Sequence, residues 1–503
     1  MFKRILSLLC SLAMLLSIST IAVADEPVTI SLFVDESWWP YDTWEGAIPE
    51  AFNAATGVKI EVIRAADDNQ LALMVASGDM TDIVCSWRYQ YMADPEVSYA
   101  LDELAAQYPQ YGFNPHPVLK FVNTMADGHF YTIGCGFSPN AAYDEYDKIL
   151  TEGQGFFYRT DIAEELGITI GSLEDLDAAF AKVKEAHPEM TVLNFNYIHK
   201  FGWLRTMMGV PGGGFYDQDG KLVWYIQSEN QLSYYKKVNE WYRLGYISPD
   251  NFAYSSEDQT LEAALSGNVF AIFGYDNHCD NYNVAAENAG VGFSFTQVTD
   301  VISDTACMFN NGAGGRGLYI TKSCKNVEKA FEVLSYAYSD EGMKLLMWGI
   351  EGEDYTLNEG GYPVFNYNFQ GENSVLQPRG LKYWGWLVHN NIVTSIADAT
   401  SDTSTARARA AMTPYVKLNP AIGLIRFETD SDEAVIQAKL NDMISAEEIN
   451  ILMAETEEAC EAAYAAMLAK AEQIGVEALC ASANERYADL KAKYDEVADL
   501  PME

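Results

Sequence analysis

The run from Asn69 to Tyr91, NQLALMVASGDMTDIVCSWRYQY, compresses a helix, a turn, a strand and a loop tip into one short stretch. Leu71, Met74 and Val75 share one helical face, at spacings of three and four. Gly78 ends that helix and Asp79 turns the chain. Asp82-Ile83-Val84-Cys85 then reads as a buried strand, and Trp87-Arg88-Tyr89 stand at its carboxyl end. A helix that delivers the chain straight into a buried strand belongs to a layered α/β fold. Ligands of open α/β sheets bind outside the carboxyl ends of the strands. The Trp87 tip is therefore either a loop packed on its own lobe or part of a cleft wall.

The same pattern recurs. Val28 to Val34 reads as a strand and runs into Glu36-Ser37-Trp38-Trp39-Pro40. Val269 to Phe273 reads as another and runs into Tyr275-Asp276-Asn277-His278. Further strands are expected at 58–63, 129–134, 156–158, 222–225 and 318–320. Between them lie helices, among them one opened by Ser172 with Asp175 three residues on, and one whose face is Leu232, Tyr235, Val238 and Tyr242. From Asp432 onward the chain reads as helical and acidic. At 503 residues it exceeds one hydrophobic core, so two or more folding units are expected. Strands alternating with helices predict α/β lobes with mostly parallel sheets.

Composition narrows the function. There are 31 Tyr, 23 Phe and 10 Trp, and a groove for flat apolar faces is one use for rings beyond the needs of a core. The net charge of −40 opposes nucleic acid and anionic membrane surfaces as partners. Residues 1–24 read as a secretory signal: Lys3 and Arg4, an apolar run to Ile21, and the cleavage site Ala22-Val23-Ala24. Cys10 lies too early in that run to carry a lipid. The remaining cysteines have neither CxxC nor metal-like spacing. They read as small buried hydrophobes, with a Cys279–Cys307 disulfide left open. HExxH, GxSxG and Walker A motifs are absent, Gly212-Gly213-Gly214 is not followed by GK[ST], and the histidines are isolated.

Several stretches together carry a family resemblance: TGVKIEV (56–62), LALMVASGDMTDIV (71–84), DGHFYTIG (127–134), FFYRTDIAEELGI (156–168), WYRLGYISPDNF (241–252) and WGIEGEDYTLNEGGYPVF (348–365). In this order they resemble the family 1 extracellular solute-binding proteins of ABC sugar importers, the maltose-binding-protein-like group, and within it the long oligosaccharide-binding branch. The resemblance implies a two-lobe, type II periplasmic-binding-protein-like α/β fold with a helical C-terminal region. The N-terminal lobe would take 27–135 and 267–322, the C-terminal lobe 136–266 and 323–427, with 428–503 as helices packed on the lobes. The chain departs from the family pattern in lacking a lipobox cysteine. Nor does 185–196, EAHPEMTVLNFN, have the oxygen-rich loop with which many long-branch members bind calcium.

The expectation is thus a secreted, non-catalytic, monomeric binding protein without cofactor or metal. It would hold a carbohydrate between its lobes and deliver it to the transmembrane subunits of an ABC permease. A non-sugar solute binder, a ligand-sensing subunit and a secreted glycan-active enzyme stand as the other classes. The strand tips place Glu36, Trp38, Trp39, Trp87, Arg88, Tyr275 and Asp276 on the N-lobe wall. Trp203, Trp384 and Trp386 are expected to face them from the C lobe, with Trp348 and Glu351 as further candidates.

Overall fold

A computed structural model describes residues 28–143, 146, 150–369, 373–428 and 430–502. The expected secretory signal lies outside the described residues. Among those residues no helix is long and apolar enough to cross a membrane.

In chain order the strands that build the lobes are β1 (Val28–Val34), β2 (Val58–Arg64), β3 (Ile83–Ser86), β4 (Gln154–Arg159), β5 (Thr191–Phe195), β6 (Val269–Tyr275), β7 (Phe295–Gln297), β8 (Met308–Asn310), β9 (Gly317–Ile320) and β10 (Val416–Leu418). The first sheet has the order β9-β3-β1-β2. β1 runs parallel to both β2 and β3, and β9 runs antiparallel to β3 with Gly317 opposite Ser86. The second sheet has the order β5-β6-β4-β7. β5 and β6 are parallel, while β4 is antiparallel to β6 and to β7. The fold is therefore the expected α/β one, with sheets of mixed direction.

The opening stretch folds as its pattern requires. Helix α1 (Gln70–Ser77) buries Leu71 and stops at Gly78, whose left-handed φ of 70° lets its N–H cap the Val75 carbonyl. Every residue of β3 is buried. Asp82 ties the entry of β3 to β1 by accepting from the Ser31 N–H at 2.8 Å and the Ser31 hydroxyl at 2.7 Å. By contrast, 129–134 is not a strand; it runs extended past β9, where the Cys135 N–H reaches the Arg316 carbonyl at 2.6 Å. Residues 185–196, where no calcium loop was expected, hold a helix end and β5. All seven described cysteines are buried free thiols, so Cys279 and Cys307 are not joined.

The sheets redraw the expected division of the chain. Val269–Tyr275 pairs with β4 and β5, so it belongs to the second lobe, not the first. Residues 323–399 were expected there, yet Phe331, Leu334, Leu346 and Trp384 share one core with Ile30, Ile60 and Ile83 of the first sheet. Lobe membership follows which sheet face an apolar helix covers, and helical periodicity alone cannot show that. The C-terminal helices α2 (Asp432–Leu452), α3 (Glu457–Ile474) and α4 (Val476–Ala498) pack Leu440, Met467 and Leu479 into the second-lobe core beside Trp224 and Tyr235. The α4 helix is about 34 Å long at 1.5 Å per residue. Its far end carries Tyr494 and Ala498 onto Val118 and Val122 of the first lobe.

Segments near 150–153, 298–316 and 400–418 cross between the lobes. The last two pair as β8 and β10. Where the crossings meet, Arg409 is buried and donates to both Asp276 oxygens at 2.8 Å and to Asp398 at 2.8 Å, with Glu152 at 3.6 Å. Asp276 also accepts from the Gly153 N–H at 2.7 Å. Buried Lys382 lies in the same field, and burial pulls its ammonium down to about 8. Removing one partner of a buried ion cluster leaves the other charges uncompensated. Arg409→Gln should therefore cost about 3–5 kcal/mol in denaturant unfolding. Arg407→Gln, on the same turn but in an exposed pair with Asp402, should leave stability within about 0.5 kcal/mol of the wild type.

Candidate binding cleft between the lobes

The carboxyl ends of β1 and β3 lie side by side, and the tips that follow them meet on one carboxylate. Glu36 accepts from the Trp38 indole N–H at 2.5 Å and from the Trp87 indole N–H at 2.6 Å. Arg316 donates to the same carboxylate at 2.8 Å and 3.2 Å. Its guanidinium sits 5.0–5.7 Å from the Trp87, Trp39 and Trp38 rings, within cation–π range. Glu36 and Arg316 are nearly buried, yet Trp38 and Trp87 remain 49% and 55% exposed. Two large apolar faces are thus locked in orientation by their edges and left open to water. Trp386 extends the wall, its ring 6.1 Å from Trp38. Arg88 is braced by Asp35 at 3.4 Å and by the Asp68 carbonyl at 2.5 Å. Gly315 is indispensable to this arrangement, because a Cβ there would run into the Trp87 ring.

The facing wall comes from the second lobe. Tyr275, at the end of β6, donates to Glu152 at 2.9 Å and lies 4.9 Å from the His199 ring. Tyr197 and His199 follow the end of β5. Glu257 accepts from Asn196 and, at 2.5 Å, from Tyr282. Electrostatics link the walls: His389 feels both Glu152 and Arg316, and Tyr197 of the second lobe feels Asp68 of the first. Burial raises the Glu152 carboxyl, but Arg409, His389, Tyr275 and Lys382 reverse the effect and hold it below the ordinary range. Burial depresses the His199 and His278 imidazoles to about 4.

The structure brings together Glu36, Trp38, Trp87, Arg88 and Trp386 on one wall, and places Tyr275 opposite them. Trp386 sits with the first lobe and Tyr275 with the second, the reverse of the expected walls. The other candidates pack elsewhere. Trp39 and Trp384 are fully buried against one another at 5.9 Å. Trp203 is stacked on Phe273 in the second-lobe core. Trp348 is buried and donates to the Val393 carbonyl at 2.8 Å. Glu351 is exposed, on the loop before Tyr355. Asp276 is only 2% exposed and is held by Arg409. Four groups escaped the sequence reading. Tyr197 and His199 carry the same polar-aromatic signature after β5. Arg316 and Glu152 precede antiparallel strands, so they reach the cleft from strand amino ends. Among the described residues no group of three or more His, Cys, Asp and Glu is placed to hold a metal ion.

Two α/β lobes on shared crossings, with preset aromatic and charged tips facing across the gap, define a hinged ligand-binding protein. The sequence bears this out: its residues 40–344 match the profile of the bacterial extracellular solute-binding proteins, and the chain belongs to that family. Among solved structures it is similar to the alginate-binding protein AlgQ2 without calcium ion (17% identity, 92% of this chain and 98% of that one, TM-score 0.67). It is also similar to FusA, a substrate-binding protein of an S. pneumoniae ABC transporter solved with kestose (16%, 92% and 100%, 0.70). A third is an HMO-binding, ABC-transporter-associated protein from Bifidobacterium longum infantis (14%, 93% and 100%, 0.64). At these identities the likeness establishes the fold. A comparison with curated proteins finds no match.

Packing separates the core rings from the cleft rings by experiment. Trp384→Ala should cost about 3–5 kcal/mol, as buried Trp truncations do, whereas Trp87→Ala should leave the ligand-free melting temperature nearly unchanged. Acid titration gives a second check. His199 and His278 have folded-state values below the ordinary 6.5, so the unfolded chain binds protons there that the folded chain refuses. Their contribution to stability is present above about pH 6.5 and is lost as the pH falls toward about 4. NMR titration of the imidazoles should show midpoints near 4.

Proposed function

We propose that the protein binds an oligosaccharide in the interlobe cleft and delivers it to the transmembrane subunits of an ABC importer, acting as a binder without catalysis. The observation that carries this reading is the pair of half-exposed indoles held edge-on by Glu36. A sugar ring offers a C–H face that stacks on an aromatic ring and a rim of hydroxyls that bond to planar charged groups. Trp38 and Trp87 provide the faces; Arg88, Arg316, Glu36 and Tyr275 provide the rim partners. The solved proteins that share the fold support the class, being described as binders of alginate and HMO and as a complex with kestose. A signal at residues 1–24 without a lipid-bearing cysteine fits a secreted monomer.

A sugar touching both walls stabilises the closed arrangement by its differential contacts, so binding shifts the hinge population. A micromolar site requires about −8 kcal/mol, and one well-stacked aromatic anchor supplies about 2 kcal/mol of it. A thermal-shift panel of mono- and oligosaccharides should therefore yield a stabilising ligand. Calorimetry with that ligand should show Trp87→Ala weakening binding by tens of fold. A panel without any stabilising sugar, or turnover of a glycan by the protein, would overturn the proposal.

A further inference from the structure

Beyond Arg88 the chain turns into a short helix, Tyr89–Met92, and there a second groove opens, with a volume of about 840 Å³. That is within the range of ligand pockets. Both lobes wall it: Tyr89 and Phe121 from the first, Arg426, Phe427 and the α4 helix from the other side. We infer that this groove continues the binding cleft, and that it takes the distal part of an extended oligosaccharide bearing a carboxylate, which Arg426 receives. The inference rests on the carbohydrate reading and sharpens it to an acidic sugar.

Arg426 carries the argument. Its guanidinium lies 5.0 Å from the Tyr89 ring centroid. One nitrogen donates to the Val122 carbonyl at 3.0 Å and another meets the Met125 sulfur at 3.3 Å. Among the described residues no carboxylate lies within ion-pair distance of it. Burial lowers its pKa, and the titratable groups that act on it are the tyrosines Tyr89 and Tyr319, which are uncharged near neutral pH. Asp94, Glu428, Glu485 and Asp489 also line the groove, with Arg486 and Lys493 as further bases, and Asp489 is engaged with Lys493 at 2.8 Å. In a chain with 72 acidic and 32 basic side chains, a partly buried arginine left without an acid is a cost that a ligand anion removes. A carboxylate fits the guanidinium fork in two parallel hydrogen bonds, which a neutral hydroxyl cannot supply. Tyr89 and Phe427 offer ring faces beside it, as Trp87 does in the main cleft.

The test is calorimetry with tetra- to hexasaccharides containing galacturonate, glucuronate or mannuronate, each beside its carboxyl-reduced neutral form. At least one acidic form should bind the wild type tenfold or more tightly than its neutral partner. Arg426→Gln should abolish that difference and leave the neutral form within about twofold. Ala126→Glu, on the exposed rim of the groove, should also cut the acidic form selectively and serves if the arginine variant does not fold. Trp87→Ala should weaken both forms. Neutral sugars that bind as well as acidic ones, or a preference that survives Arg426→Gln and Ala126→Glu, would overturn the inference and leave the carbohydrate reading standing. Failure of every sugar, acidic and neutral, would remove both.

Discussion

The buried Arg409 cluster is the constraint on which the two-lobe arrangement depends. Its partners come from different parts of the chain: Asp276 ends β6, Asp398 precedes the last crossing, and Glu152 ends the first. An ion cluster of this kind contributes little net stability against an apolar replacement. What it provides is geometry, because a guanidinium fork satisfied on three sides admits few alternative positions for the crossings. The segments that join the lobes are thereby held at one point, and the lobes meet about it. Tyr275 and Glu152 are adjacent to this point, so the floor of the cleft is tied to the crossings.

The first-lobe wall is organised in the same manner on a smaller scale. Glu36 receives two indole N–H groups and one guanidinium, so an otherwise floppy pair of loop tryptophans is fixed in plane. Exposed indoles are unfavourable in water, and holding them rigid lowers the ordering cost when a ligand covers them. The close approach of Gly315 to Trp87 shows that the segment leading into β9 takes part in this preset. In the proposed function recognition rests on ring faces and a few oriented charges, and the large negative charge of the chain is compatible with the proposed anionic ligand because Arg426 would meet its charge locally.

Much of this was legible in the amino-acid order. The Asn69–Tyr91 stretch predicted its own helix, stop, strand and tip, and the ordered matches implied the two-lobe class. The tips at Trp38, Trp87 and Tyr275 were found because parallel strands expose their carboxyl ends at one edge. Lobe membership was not legible. Whether 323–399 covers the first sheet or the second depends on which surface buries Phe331 and Trp384, a long-range matter that periodicity leaves open. Aromatic residues also look alike in sequence whether they are core or wall: Trp38 and Trp39 are neighbours, yet one is half exposed and the other buried. Asp276 stood in a tip but lies opposite an arginine far along the chain, and Arg316 and Glu152 enter from antiparallel strands to which the carboxyl-end rule does not apply.

If the lobes close over a bound sugar about the Arg409 point, as proposed, an interlobe distance must shorten on binding. Leu73 on the first lobe and Ile198 on the second are 69% and 62% exposed, and the described native cysteines are buried. Leu73→Cys and Ile198→Cys can therefore carry spin labels for pulsed electron–electron distance measurement, with and without an oligosaccharide shown by calorimetry to bind. Closure should give a narrower distribution shifted to shorter separation in the bound state. An identical distribution at saturating ligand would contradict it.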